Sequence, residues 1–205
     1  MPAWTPSRIW PEGTECFILG GGPSLKGFHW PRLHGRKTVG CNSAFIHGSG
    51  ICNICFFSDD KWFHHNENAL QSFAGPVVTH NEYVPIDHPW VLRATRRDYG
   101  LYKDALGFGH NSGCGAINLA LCLGAATVYL LGFDCKLGGQ GESNWHTRTI
   151  EAPNAGVYPY FIEGFAAIAR DLARVFPGAR VINCTPDSAI PTAIFPYVPV
   201  DEVLP

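Results

Sequence analysis

Apolar residues along this chain come in two periods, short unbroken blocks of strand length and longer stretches at helical spacing. Cys16-Phe17-Ile18-Leu19 is a block that stops abruptly at Gly20-Gly21-Gly22. That is the pattern of a strand buried on both faces and ending in a loop. Blocks at 38–41, 53–57 and 76–79 repeat it, and Asn42-Ser43, Ser58-Asp59-Asp60 and His80-Asn81 follow them. A helix is expected over about 113–123, stopped by Gly124, and then a strand over 127–131. Phe161, Phe165, Ile168, Ala169 and Leu172 recur at helical spacing within 160–175, and a last strand covers 180–183. Strands interleaved with helices predict an α/β chain, with a mostly parallel sheet covered by helices on both faces in a Rossmann-like arrangement.

The 205 residues suffice for one full core. A single domain over 1–205 is expected, without repeat, linker or low-complexity tract. Segment 80–111, rich in Pro, Tyr and Arg, stands out as irregular and suits a lid or wall over a site.

Composition narrows the function classes. With 15 Lys and Arg against 17 Asp and Glu, the formal charge is -2. That balance leaves no broad basic nucleic-acid face. Only 16% of residues are charged while 46% are hydrophobic, which excludes a disordered chain. The eight cysteines sit mainly in apolar blocks, where a thiol behaves as a small hydrophobe. Cys52-Asn53-Ile54-Cys55 has no second half to complete a zinc site. The N-terminus lacks the build of a signal peptide, so a reducing cytoplasm is the expected location. The uncharged stretch from Ala105 to Phe133 is broken by Gly113, Gly115, Gly124 and Gly132. No membrane span is expected there.

In a parallel sheet ligands sit beyond the carboxyl ends of the strands. Gly20-Gly21-Gly22-Pro23-Ser24-Leu25-Lys26 follows a strand directly, and its glycines suit close approach of an anion to bare backbone N–H groups. It lacks the Gly-Lys-Ser/Thr of a Walker loop and the third glycine of a dinucleotide fingerprint. An ordinary tight strand-to-helix turn has the same composition. Asn42 suits hydrogen bonds to a base or ribose, or a turn cap. Ser112 and Gly113 start the apolar helix and offer a hydroxyl and free N–H groups to an anion, or Ser112 is the N-cap. Asp59, Asp60 and Asp134 follow two strands and suit one magnesium ion, or Asp59-Asp60 cap a helix starting near Lys61. Arg93, Arg96 and Arg97 suit surface charges or a grip on an anion.

Ile18-Leu19-Gly20-Gly21-Gly22-Pro23-Ser24-Leu25-Lys26 resembles the nucleotide-binding motif of bacterial lipooligosaccharide sialyltransferases. Cys41-Asn42-Ser43-Ala44-Phe45 is similar to the cysteine–asparagine motif that follows it in that family. Asn111-Ser112-Gly113 and Tyr129-Leu130-Leu131-Gly132-Phe133-Asp134 resemble its serine–glycine helix and next strand. The skeleton, with the closing Asn183-Cys184-Thr185-Pro186-Asp187-Ser188-Ala189, is also similar to motility accessory factor glycosyltransferases, hydroxymethylpterin pyrophosphokinases and short phage-encoded proteins. The chain departs from the sialyltransferase pattern at Gly21, where that motif has asparagine, and it has no tyrosine between Asp134 and His146.

The resemblance implies glycosyl transfer from a nucleotide-activated donor to an acceptor that the motifs do not name. Gly20, Gly21, Gly22, Pro23, Ser24 and Asn42 would then hold the nucleotide, with Ser112, Gly113 and Asp134 around the donor. His146, in the loop after Asp134, would act as acid or base. Two other readings stand beside it. One is magnesium-dependent pyrophosphokinase chemistry with Asp59, Asp60 and Asp134 on the metal. The other is non-catalytic binding or sequestration of a nucleotide. Self-association is left open.

Overall fold

The computed structural model describes residues 3–84, 88–148, 150–152 and 154–204. The apolar blocks form strands β1 (Glu15–Leu19), β2 (Lys37–Cys41), β3 (Ile54–Phe57) and β4 (Val77–Thr79). Segment 80–111 adds β5 (Val91–Arg93) and a two-stranded ribbon of β6 (Arg96–Arg97) and β7 (Leu106–Gly107). The series ends with β8 (Thr127–Leu131) and β9 (Arg180–Asn183). Seven strands make one sheet in the order β5-β4-β3-β2-β1-β8-β9, and every pairing in it is parallel. The chain is α/β, as its pattern predicts.

Strand residues alternate between two cores, as the two-residue period of a pleated strand requires. Cys16 and Ile18 of β1 join Val128 and Leu130 of β8 on one face. Phe17 and Leu19 join Tyr129 and Leu131 on the other. Helices α2 (Ser112–Leu123) and α3 (Tyr158–Val175) cover the first face. Helix α1 (Asp60–Gln71) covers the second, with Trp62, Phe63 and Leu70 inward. A four-residue helix α4 (Val200–Val203) lies near the C-terminus.

Helix α2 is buried along nearly its whole circumference, between the sheet, α3 and the ribbon, which explains its lack of a polar stripe. It ends at Gly124 in the left-handed conformation that only glycine adopts freely. At 12 residues it is about 18 Å long, and among the described residues no helix is long and apolar enough to cross a membrane. All eight cysteines are free thiols, and all but Cys135 are buried.

Segment 80–111 is corrected in part. It is not wholly irregular, because β5 extends the main sheet and pairs Val77–Thr79 with Val91–Arg93. Its strands are two or three residues long and carry half-buried arginines, so no apolar block marks them. It does wall the cavity described below, and the part of the lid expectation that falls on 85–87 lies outside the described residues.

Candidate functional site

Strands β2 to β5 step away from β1 on one side, while β8 and β9 lie on the other. The order therefore reverses between β1 and β8, and at their carboxyl ends opens a cavity of about 470 Å³. The register Leu19↔Leu131 brings the glycine loop beside Gly132, Phe133 and Asp134. Gly20, Gly21, Gly22, Asn42, Asp59, Asp60, Ser112, Gly113 and Asp134 all line the cavity. Pro23 and Ser24 stand behind it, in a short 3-10 turn (Pro23–Leu25).

Close packing is one reason for the glycines. A Cβ on Gly20 would meet the Gly132 carbonyl and the Phe133 ring, and one on Gly22 would meet the Asp134 carboxylate. The Gly20 N–H donates to Leu131 O at 2.7 Å and the Gly22 N–H to Gly132 O at 2.8 Å. Trp145 closes the other side. Its indole N–H donates to Gly20 O at 3.1 Å and its backbone N–H to Gly21 O at 3.0 Å. The Gly21 N–H alone of the triplet has no partner among the described residues. The loop is thus less a cradle of bare amides than a clamped turn offering one.

Asp134 holds that turn in place. Its carboxylate accepts from the Ser24 N–H at 3.0 Å and from the Ser24 hydroxyl at 2.8 Å. Burial pushes its pKa up, against the lowering effect of those two bonds. The closing motif supports the same loop. Thr185 Oγ1 accepts from the Phe133 N–H, Ser188 donates to Phe133 O, and the Ala189 N–H donates to Asp134 O.

The N-terminus of α2 faces the same space. Asn111 is its N-cap, accepting from the Cys114 N–H at 2.9 Å. Ser112 is therefore not the cap, because the preceding asparagine already fills that position. Its hydroxyl donates instead to Asn42 Oδ1 at 3.2 Å, and no described residue accepts the N–H groups of Ser112 and Gly113. Asn42 sits at φ +52°, His110 at +60° and Cys135 at +50°, and all three line the cavity. Three of the four non-glycine residues with left-handed backbone among the described residues thus gather where a ligand would sit.

Asp59, Asp60 and Asp134 do not converge on a metal in the expected way. Asp59 caps α1, accepting from the Trp62 N–H at 2.8 Å, while Asp134 is turned to Ser24. Among the described residues no group of three or more His, Cys, Asp or Glu is placed to hold a metal ion. The capping alternative for Asp59 accounts for its position.

His146 lines a second cavity of about 310 Å³, which shares Gly21, Asn42, Asp59, Asn144 and Phe161 with the first. Burial, then the nearby Arg148 and His47, lower its pKa to about 4. It is neutral at pH 7, able to accept a proton and unable to serve as an acid. The Trp145 indole lies between two histidines, stacked on His47 at 5.0 Å and edge-on to His146 at 4.7 Å.

Several cavity residues carry no motif. Ser58 is bonded to His80 Nε2 at 2.9 Å, and their only signal was a position just after a strand. Arg96 lies over the Phe108 ring at 3.9 Å. Tyr158, at the start of α3, supplies a tyrosine near Asp134 that the loop between Asp134 and His146 lacks. Arg93 is turned away, donating to the carbonyls of Glu82 and Val84, and Arg97 is exposed. Comparisons with protein-family models, curated proteins and solved structures find no match to this chain.

Proposed function

We propose that this chain binds a nucleotide-activated donor in the larger cavity and transfers its glycosyl group to an acceptor in the smaller one. The observation that carries the reading is the cavity at the β1–β8 reversal, onto which the α2 N-terminus and the Gly21 N–H open. Free amides at a helix start, with the helix dipole behind them, favour a phosphate. Asn42, fixed by Ser112, offers its amide N–H group to base or ribose.

Two adjoining cavities with shared walls suit two substrates meeting at one point, which a binding protein does not need. In transfer the acceptor oxygen forms a bond to the anomeric carbon while that carbon's bond to the donor phosphate breaks. The nucleotide leaves with the electron pair, held by the α2 amides. The neutral His146 imidazole takes the acceptor's proton. A pKa lowered to about 4 leaves it unprotonated at pH 7, which supports the role of base over that of acid.

A thermal-shift panel of nucleotides and nucleotide sugars, with and without magnesium, tests this. A ligand at a hundred times its Kd adds about 2.7 kcal/mol, and a chain of this size gains roughly 2–4 °C of Tm per kcal/mol. A shift with a nucleotide sugar, followed by release of free nucleotide in the presence of acceptors, supports transfer. No shift with any nucleotide refutes the reading. Binding without turnover of any donor leaves sequestration, and turnover abolished by chelation leaves magnesium-dependent chemistry.

A further inference from the structure

We infer that Arg96 forms an oxyanion subsite at the β4 end of the larger cavity, taking a carboxylate or phosphoryl group of the bound ligand. The inference rests on the reading above only in that the cavity is the ligand site.

Arg96 is half-buried on the ribbon strand β6 and lines the cavity. Its guanidinium carbon lies 3.9 Å from the centre of the Phe108 ring, a cation–π contact that holds the group at the cavity wall. Among the described residues that guanidinium makes no ion pair and no hydrogen bond. Of the carboxylates lining the cavity, Asp59 accepts from the Trp62 amide and Asp134 from Ser24, and Asp60 makes no ion pair with Arg96. A guanidinium cannot shed its charge, so a half-buried one resting over a ring, with no acceptor among the described residues, is arranged for an acceptor from outside. Lys136 also lines the cavity but is exposed, and as a point charge it carries no fixed fork.

Arg96 sets this subsite on the β4 side of the cavity. Phe108 packs edge-on to His80 at 5.6 Å, and His80 follows β4, three strands from β1. At the usual strand spacing the end of β4 lies about 14 Å from the end of β1. The α2 start lies nearer, since the Phe108 carbonyl accepts from the Asn111 N–H at 3.2 Å. The subsite would therefore select for a ligand that carries an anionic group on its β4 side, beside whatever the α2 amides hold.

The test is calorimetric titration of inorganic phosphate, glucuronate and glucose into the wild-type chain and Arg96→Met, Arg96→Lys and Arg97→Met variants. Glucuronate and glucose share a ring and differ in the carboxylate. The wild type is expected to bind phosphate, glucuronate or both at one saturable site and glucose far more weakly. Arg96→Met should weaken the anion about ten- to a hundredfold, the effect of losing a charge-assisted hydrogen bond. Arg96→Lys should lose nearly as much, since an ammonium neither stacks nor forks. Arg97→Met, at the exposed neighbour that does not line the cavity, should leave this binding intact. Phosphate alone assigns a phosphoryl group, and glucuronate alone a carboxylate.

Unchanged affinity in a folded Arg96→Met, or no binding of either anion by the wild type, overturns the subsite. So does anion binding that Arg97→Met weakens as much as Arg96→Met. Nucleotide-induced stabilisation of the same proteins keeps the two proposals apart. Nucleotide binding with no anion binding removes only the subsite. Arg96-dependent anion binding with no nucleotide binding removes only the nucleotide.

Discussion

Protonation of His80 should make this fold acid-sensitive in a window that one substitution removes. The imidazole is 1% exposed, bonded through Nε2 to Ser58 and edge-on to the rings of Phe56 and Phe108. Its Nδ1 is buried with no hydrogen-bond partner among the described residues, and the Leu106 backbone favours the charged ring less than burial disfavours it. Burial first, and the Arg96 charge second, lower its pKa from 6.5 to about 4. A base with a depressed pKa in the fold adds stability that is full above its unfolded value, 6.5, and lost as pH falls through about 4. At 1.36 kcal/mol per pKa unit, the loss is about 2 kcal/mol by pH 5 and about 3 kcal/mol by pH 4.

His80→Gln keeps a polar atom close to the Nε2 position and cannot take a proton. Its stability should be compared with the wild type by urea unfolding at pH 7, 5 and 4. The wild-type curve should fall relative to the variant by those amounts, whatever the offset at pH 7. Carboxylates and the other histidines titrate in both proteins and cancel in the difference. A difference between the two that stays constant from pH 7 to pH 4 would show that His80 does not titrate at the depressed value, and the account of its environment would be wrong.

Ser24→Ala removes one of the hydrogen bonds holding the Asp134 pKa down, so that carboxyl should titrate still higher. Carboxyl-carbon NMR reads this directly, and an unmoved titration would break the link between the two loops. Stability should fall by about 1.5–3 kcal/mol, the range for a hydrogen bond to a charged group. Gly22→Ala should unfold or strongly destabilise the chain, because its Cβ meets Asp134 and the Gly132 backbone; a Tm close to wild type would refute that packing. Gly21→Ala meets only the Asn144 side chain, at 2.7 Å, so it should fold while weakening nucleotide binding. His146→Ala should cut turnover by about a hundred- to ten-thousandfold with little change in nucleotide affinity. The wild-type rate should stay flat down to pH 5, since the base titrates at about 4; a fall centred near 6.5 would assign the proton to another group.

The architecture was legible wherever a strand carried its own apolar block. Phe17 and Leu19 fill one core and Cys16 and Ile18 the other, so four consecutive apolar residues reveal a strand covered on both sides. The same rule could not reveal β5. Its residues Val91, Leu92 and Arg93 are half-buried at the sheet edge, and β4, not their own pattern, makes them a strand. The connection from β1 to β2 was equally unmarked, since it runs through two short 3-10 turns (Pro23–Leu25 and Trp30–Leu33) rather than a helix.

Within the site, the divide follows sequence separation. Gly20, Gly21 and Gly22 announce a tight loop, but their clamps are Gly132, Asp134 and Trp145, more than a hundred residues on. Composition therefore suggested bare amides where the fold engages the Gly20 and Gly22 N–H groups. Ser112 was placed correctly at the helix start, yet Asn111 took the cap, which freed the Ser112 hydroxyl to fix Asn42 across the cavity. Arg96 was marked no more than its neighbours Arg93 and Arg97, and Phe108 not at all, because their contact depends on the ribbon that brings β6 beside β7. Local chemistry thus marks the β1–α2 side, where motif and strand end coincide. The β4 side is assembled from residues whose meaning is purely tertiary, and there the ligand's remaining identity would be read.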